Sequence, residues 1–288
     1  MRIIALTTCH NRKNLTLRSL ASIYSQQLPA GCTLDACVVD DGSTDGTDEA
    51  VKAHFPGATV LKGDGGLFWA GGMRFGWRHY VKKQQFDYLL AYNDDILLYP
   101  GALTCFLEIA RGLKQNGEEL FAVSGALKNP ENGRTSYGGL VRSSRWDPLR
   151  FKMIEPAGEP RLCDAINMNA VLISAAALES VGFLSDKFVH NGADFEFGIR
   201  LKASGGRLLL TPGYIGECDY NAFSCSKEPG ISFKERWKRL TGIKEQPPLQ
   251  RAAYYKRHGN CLWFILWTTP YFRALFESFF LPGGRKRK

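Results

Sequence analysis

Three acidic clusters in this 288-residue chain have the residue types and spacing to do chemistry. The first is VVDDGSTDGT, Val38 to Thr47, where two β-branched residues lead into adjacent Asp40 and Asp41 and then into Gly, Ser, Thr and Asp. Strand formers followed by turn chemistry mark a buried strand ending at a polar crevice. Open α/β sheets bind ligands at the carboxyl ends of their strands. Adjacent carboxylates repel unless a donor or a cation lies between them. A plain strand–turn–helix, with Asp45 or Thr47 capping a helix near Asp48, accounts for the same residues.

The second cluster, Asn93-Asp94-Asp95, ends the apolar run YLLAY. Its carboxylate oxygens suit a hard divalent cation, Mn²⁺ or Mg²⁺, that also takes diphosphate oxygens. Turn-making alone would use the same residues, but two acidic strand ends together favour a metal–nucleotide site. In the third cluster, HNGADFEFGIRL, a helix starting near Ala193 places Asp194 in its first turn. A carboxylate is stabilised there by the helix dipole and can face the crevice as a general base, although a cap would look the same. Glu196 and Arg200 stand four apart, a spacing that a surface salt bridge explains in full. Between the first two clusters, Gly63 to Gly76 is a glycine-rich stretch holding Phe68 and Trp69, with Trp77 directly after it. Glycines such as Gly72 let backbone approach a ligand, and an aromatic such as Trp69 stacks on a sugar or base. A mobile loop with core tryptophans is the competing account. No G-K-[ST] follows, so it is not a P-loop.

These clusters need elements to hold them. Strands are expected at 3–8, at LDACVVD, at 58–63 and at 88–98. Helices are expected over 14–27 with Asn14 as cap, over 47–54, from Phe75 to Lys83, and from Pro100 to Lys114. That alternation predicts a parallel sheet covered by helices on both faces. From about 120 the rhythm turns antiparallel, with a flap-like 136–154, a strand running into a helix over 164–178, and a last strand at 207–218. Residues 221–250, with Pro229, Pro247 and Pro248, read as a loop-rich linker. The chain therefore divides into 1–220, with halves at 1–114 and 115–220, and an extension at 221–288.

Charge is unevenly spread. Residues 1–226 hold 23 Lys/Arg against 24 Asp/Glu, whereas 227–288 hold 14 against 4, so the net +9 lies wholly in the extension. A near-neutral body argues against a nucleic-acid groove. The eight cysteines show no C-x-x-C spacing and the N-terminal apolar run is short for a signal peptide, so a cytoplasmic setting is expected.

The segments TCHNRKNLTLRSLASI, VVDDGSTDGT, NDD and VGFLSDKFVHNGADFEFGIRL occur in an order that resembles family two glycosyltransferases of the GT-A fold. The glycine–tryptophan stretch resembles the rhamnosyltransferase-like subgroup. The similarity covers about residues 1–220. It implies a Rossmann-like nucleotide-binding half and an acceptor half with a mixed sheet. It implies Thr8, Asn11, Arg12, Asp40, Asp41 and Asp94 at the nucleotide, and Asp95 as the metal contact. Trp69, Gly72, Glu196 and Arg200 would lie along the substrate, and Asp194 would be the base of an inverting displacement. The implied donor is a UDP- or dTDP-linked sugar, and the acceptor a glycan or lipid-linked hydroxyl in cell-surface polysaccharide synthesis. Three positions depart from the family pattern: Asn93 replaces the first acid of D-x-D, Ala193 replaces the Glu before the base, and Glu196 stands where Asp is common. Phe233 to Trp237 keeps only the R-W of a Q-x-x-R-W motif, which favours single addition over processive synthesis.

Cys261 to Pro282 is apolar but broken by Pro270, Arg273 and Glu277, short of a clean membrane span. Phe272, Leu275, Phe276, Phe279 and Phe280 form a stripe expected to lie opposite Arg273 and Glu277. With the terminal GGRKRK it suits either packing on the domain or attachment to an anionic leaflet. Two other functions compete with glycosyl transfer. A sugar-phosphate nucleotidyltransferase would need glycines after the first strand, which TTCHNRKN lacks. A nucleotide- or carbohydrate-binding module without catalysis is made credible by Asn93 and Ala193.

Overall fold

The computed structural model describes residues 1–81, 86–219, 231–243 and 247–280, with side chains omitted at 81 and 277–280. In chain order the elements begin β1 (Arg2–Cys9), α1 (Lys13–Tyr24), β2 (Thr33–Asp40), α2 (Thr47–His54), β3 (Thr59–Lys62), α3 (Phe68–Val81) and β4 (Tyr88–Tyr92). They continue with β5 (Leu97–Leu98), α4 (Ala102–Gln115), β6 (Phe121–Lys128), β7 (Thr135–Tyr137), β8 (Gly139–Arg142), β9 (Phe151–Met153), β10 (Arg161–Leu162) and β11 (Ala165–Ile166). The last are β12 (Ala170–Ser174), α5 (Ala175–Val181), α6 (Ala193–Ala203), β13 (Arg207–Glu217), α7 (Phe233–Leu240), α8 (Pro248–His258) and α9 (Trp263–Phe280).

Among the described residues, ten strands form one mixed sheet with the main order β10-β13-β6-β12-β4-β1-β2-β3. β1, β2, β3 and β4 are parallel, and β12 enters antiparallel between β4 and β6. Strands β1 and β4 are buried along nearly their whole length, as a sheet covered on both faces requires. Register then positions the site. Cys9 lies beside Asp40 and Asp40 beside Lys62, so β1 and β2 end level. Because β12 runs against β4, with Ala170 opposite Tyr92, the loop entering β12 opens at the same edge where β4 ends. A smaller sheet, β11-β8-β9, forms the flap.

Several boundaries differ from the sequence expectation. Helix α1 starts at Lys13, not after Asn14, because the Asp45 carboxylate accepts the Lys13 N–H at 2.9 Å. Asp45 also accepts the Thr47 N–H at 3.1 Å, so it serves both first turns. The strand expected over 88–98 breaks at Asn93 and resumes only as β5, which pairs with β13 instead. Much of the supposed glycine loop is helix: α3 begins at Phe68 and lays its glycines on the sheet. A Cβ on Gly72 would collide with Thr8 Oγ1, and one on Gly76 with Leu6 Cδ1. These glycines therefore admit the helix to the sheet, and Ala at Gly72 would cost about 1–3 kcal/mol.

The expected linker contains helices α7 and the start of α8; Pro229 and the expected helix end at Lys83 lie outside the described residues. Ser232 caps α7 through the Glu235 N–H. Tyr254 and Tyr255 of α8 belong to the same buried cluster as Phe188 and Phe197. Trp263, Leu266 and Trp267 of α9 pack against that cluster.

Candidate active site

The first loops pack on each other before they meet any ligand. Asn11 adopts a left-handed φ of +52°. Its Oδ1 accepts the Thr44 N–H at 2.7 Å, and its own N–H donates to Ser43 Oγ at 2.9 Å. Thr8 is buried, its hydroxyl on the Val39 carbonyl and its side chain under Gly72.

Asp40 and Asp41 are each only 4% exposed, and backbone donors explain how they coexist. Asp40 Oδ1 accepts the Ser43 N–H at 2.9 Å. Asp41 takes three: Gly65 and Leu67 on Oδ1 at 2.9 and 3.3 Å, and Phe68 on Oδ2 at 2.9 Å. Asp41 thus caps α3 through both carboxylate oxygens, at the β2 end where the resemblance puts the nucleotide. It also holds Phe68 at a φ of +54°, where a bulky residue is strained by about 1–3 kcal/mol. Gly72 and Thr8, the pair the resemblance puts beside the ligand, form the close contact between α3 and β1.

At the end of β4 the expected acidic pair is present and carries a cation of the chain's own. Arg12 Nη1 donates to Asp94 Oδ1 at 3.0 Å and to Asp95 Oδ2 at 2.9 Å. Burial raises the Asp94 carboxyl; Arg12 opposes this, and the net position is about 6. Asp94 Oδ2 is buried without a hydrogen-bond partner. Asn93 is oriented by Trp69, whose indole N–H donates to Asn93 Oδ1 at 2.9 Å. Trp69, partly exposed, therefore helps to set the acidic turn.

Asp194 is the second residue of α6, whose N-cap is Gly192 at φ +86°. Burial raises its carboxyl to about 6, against hydrogen bonds from the Phe195 N–H at 2.9 Å, the Met168 backbone and the Asn167 side chain. The loop entering β12 joins it to the acidic pair. Asn167 and Met168 hold Asp194, while the next residue, Asn169, accepts the Asn93 N–H at 2.9 Å. Cys218, at the end of β13, donates to Asp95 Oδ1 at 3.5 Å. Helix α3 ties the two halves again, with Arg74 donating to the carbonyls of Ser185 and Phe188, just before α6.

Glu196 and Arg200 are not a surface pair. Glu196 is wholly buried and accepts from Arg200 Nε at 2.8 and 3.0 Å, Arg257 Nη1 at 3.0 Å and His258 Nε2 at 3.2 Å. Burial favours its neutral form, but the His258 and Arg200 hydrogen bonds and the charges of Arg200 and Arg257 outweigh it and hold the carboxyl low. Arg200 further donates to the carbonyls of Val181 and Phe183. Glu196 has no surface to offer a substrate; it fastens α8 to the helix that carries Asp194. Sequence reading missed Arg257 and His258, which carry no local signal. It also missed Asn167 and Asn169, whose signal was the polar pair interrupting AINMNAVLIS.

A parallel half ending in an acidic turn, joined through an antiparallel strand to a helix bearing a buried carboxylate, is the GT-A arrangement of glycosyltransferases. Residues 5–177 match glycosyl transferase family 2, and the chain belongs to that family. No curated protein sequence matches it. GalNAc-T7, solved with UDP, GalNAc and Mn²⁺, superposes with a TM-score of 0.59 at 12% identity, over 96% of this chain and 56% of that one. This chain therefore spans little more than half the length of GalNAc-T7. S. aureus TarS 1–349 gives 0.53 at 12% identity over 95% and 92%. At such identities the likeness is one of fold.

Proposed function

We propose that this chain transfers a sugar from a nucleoside-diphosphate donor, UDP- or dTDP-linked, to a glycan or lipid-linked hydroxyl, with inversion, in making a cell-surface polysaccharide. The observation that carries this reading is Asp194, held by Asn167 and Met168 in the same loop whose Asn169 carbonyl accepts the Asn93 N–H of the acidic turn; its carboxyl is raised to about 6. Ionised at neutral pH, it accepts the acceptor's hydroxyl proton while that oxygen forms a bond to the anomeric carbon. The bond from that carbon to the diphosphate breaks, its electron pair leaving with the nucleoside diphosphate. A carboxyl near 6 matches this task, since it is largely ionised at pH 7 yet still basic.

The residues at the acidic turn fit a divalent ion. Asp94 Oδ2 is a buried carboxylate oxygen without a partner, and Asp95 stands beside it. Among the described residues no group of three or more His, Cys, Asp or Glu is placed to hold a metal. An ion of the Mg²⁺ class is commonly held by one or two carboxylates with substrate phosphates, and Asp94 and Asp95 could supply such carboxylates. When bound, such an ion offsets charge developing on the diphosphate. Arg12 supplies positive charge at the same place from the chain itself. The GalNAc-T7 structure, with UDP and Mn²⁺, supports this reading. The rhamnosyltransferase-like placement is part of the proposal and rests on the Gly63–Trp77 stretch.

Thermal-shift screening of UDP- and dTDP-sugars with and without Mn²⁺ tests donor and metal together. A stabilising donor, and slow donor hydrolysis without acceptor, are the expected outcome. No stabilisation by any nucleotide sugar would defeat the reading.

A further inference from the structure

Helices α7 and α9 leave a surface that the glycosyl-transfer reading does not use. One face of α9 turns its tryptophans inward: Trp263 and Trp267 stack at 6.2 Å, and Trp267 donates to the Pro248 carbonyl at 3.0 Å. Ala274 is buried on the same helix. Its other face is apolar and exposed. Phe264 is 55%, Ile265 61%, Phe272 67% and Phe276 59% exposed, and these side chains line one open groove with Thr268, Thr269 and Arg273. Positions 264, 268, 272 and 276 repeat every four residues, so the stripe is continuous along about 18 Å of helix. Arg273, expected opposite the phenylalanines, instead borders them; the side chains of Glu277, Phe279 and Phe280 lie outside the described residues.

Helix α7 extends the surface. Trp237 packs edge-on to Tyr271 of α9 at 6.0 Å and against Phe233 at 5.6 Å, and both α7 aromatics are more than a third exposed. Lys234 and Lys238 are exposed on the same helix. Aromatic and aliphatic side chains bordered by Lys and Arg are the composition of a helix lying in a bilayer interface. The surrounding segment 227–288 carries 14 Lys/Arg against 4 Asp/Glu, which complements anionic headgroups. No helix among the described residues is long and apolar enough to cross a membrane.

We propose that the exposed face of α9, with α7 beside it, docks on an anionic lipid bilayer and lies in its interface. Phe264, Ile265, Phe272 and Phe276 enter the headgroup–acyl boundary, and Lys234, Lys238 and Arg273 meet lipid phosphates. The docked unit is fastened to the base-bearing helix, because α8 holds Glu196 through Arg257 and His258. Surface attachment therefore presents the site to acceptors carried on lipid, a consequence that rests on the glycosyl-transfer reading, whereas docking itself does not.

Co-sedimentation of the full chain with phosphatidylglycerol-containing vesicles, and with neutral phosphatidylcholine vesicles, tests this at low ionic strength. Binding to the anionic vesicles is expected, weakened in about 0.5 M salt and absent from the neutral ones. The double variant F272E/F276E should bind about tenfold more weakly with unchanged thermal stability, since both side chains are exposed. A wild-type chain that stays in the supernatant, or a double variant that binds as the wild type does, overturns the proposal. So does a wild-type dimer in light scattering that this variant converts to monomer, which would give the face to a second copy. Donor hydrolysis by both forms in the same preparations keeps loss of docking distinct from failure of the transferase reading.

Discussion

Replacing Glu196 by Gln keeps the side chain's shape and removes the charge on which Arg200, Arg257 and His258 converge. Arg200, with 12% of its side chain exposed, would be left with a buried positive charge facing an amide. Breaking a buried pair from one side costs about 3–5 kcal/mol. Arg200 keeps two carbonyl acceptors, and the half-exposed Arg257 regains water, so the lower end applies, about 3 kcal/mol. For a chain of this size that corresponds to a fall in Tm of about 6–12 °C. Urea unfolding of both forms at neutral pH measures it. The pH dependence has a definite sign. Because the folded carboxyl is held low, its contribution is fully present above the unfolded value of about 4.3 and is lost as pH falls through the folded one. The gap between wild type and E196Q should therefore narrow below about pH 4. A difference under about 1 kcal/mol at pH 7, or a gap that stays constant into acid, refutes the view that α8 is fastened by a buried charge.

Asp194→Asn should lower transfer by at least about 10²-fold while leaving nucleotide affinity unchanged, and wild-type kcat should rise with pH through about 6; full activity in D194N removes Asp194 as base. Asp41→Ala frees three backbone donors and should destabilise by about 3 kcal/mol. Hydrogen exchange should quicken at Gly65, Leu67 and Phe68, and unaltered protection there would contradict the capping role. Arg12→Ala removes the cation shared by Asp94 and Asp95, so calorimetry without nucleotide should show Mn²⁺ binding about tenfold tighter, against no change if Arg12 is a bystander.

The sequence by itself determined the periodic and the local. Apolar β-branched runs had to become buried strands, and their alternation with helical spacing had to give a parallel sheet. Acids at strand ends and in the first turn of α6 followed from turn chemistry and the helix dipole. Tertiary structure decided what those acids face. The capping role of Asp41 is not legible, because backbone N–H groups, its partners on Gly65, Leu67 and Phe68, belong to every residue but proline and leave no mark in sequence. Gly72 reads like a loop glycine because nothing local announces that Thr8, 64 positions earlier, will press against it. Glu196 shows only its partner one turn on; Arg257 and His258 arrive from more than sixty positions away once α8 folds back. The same return leaves the outer face of α9 uncovered, which helical periodicity alone does not fix: a stripe of phenylalanines has one spacing whether it is packed or exposed.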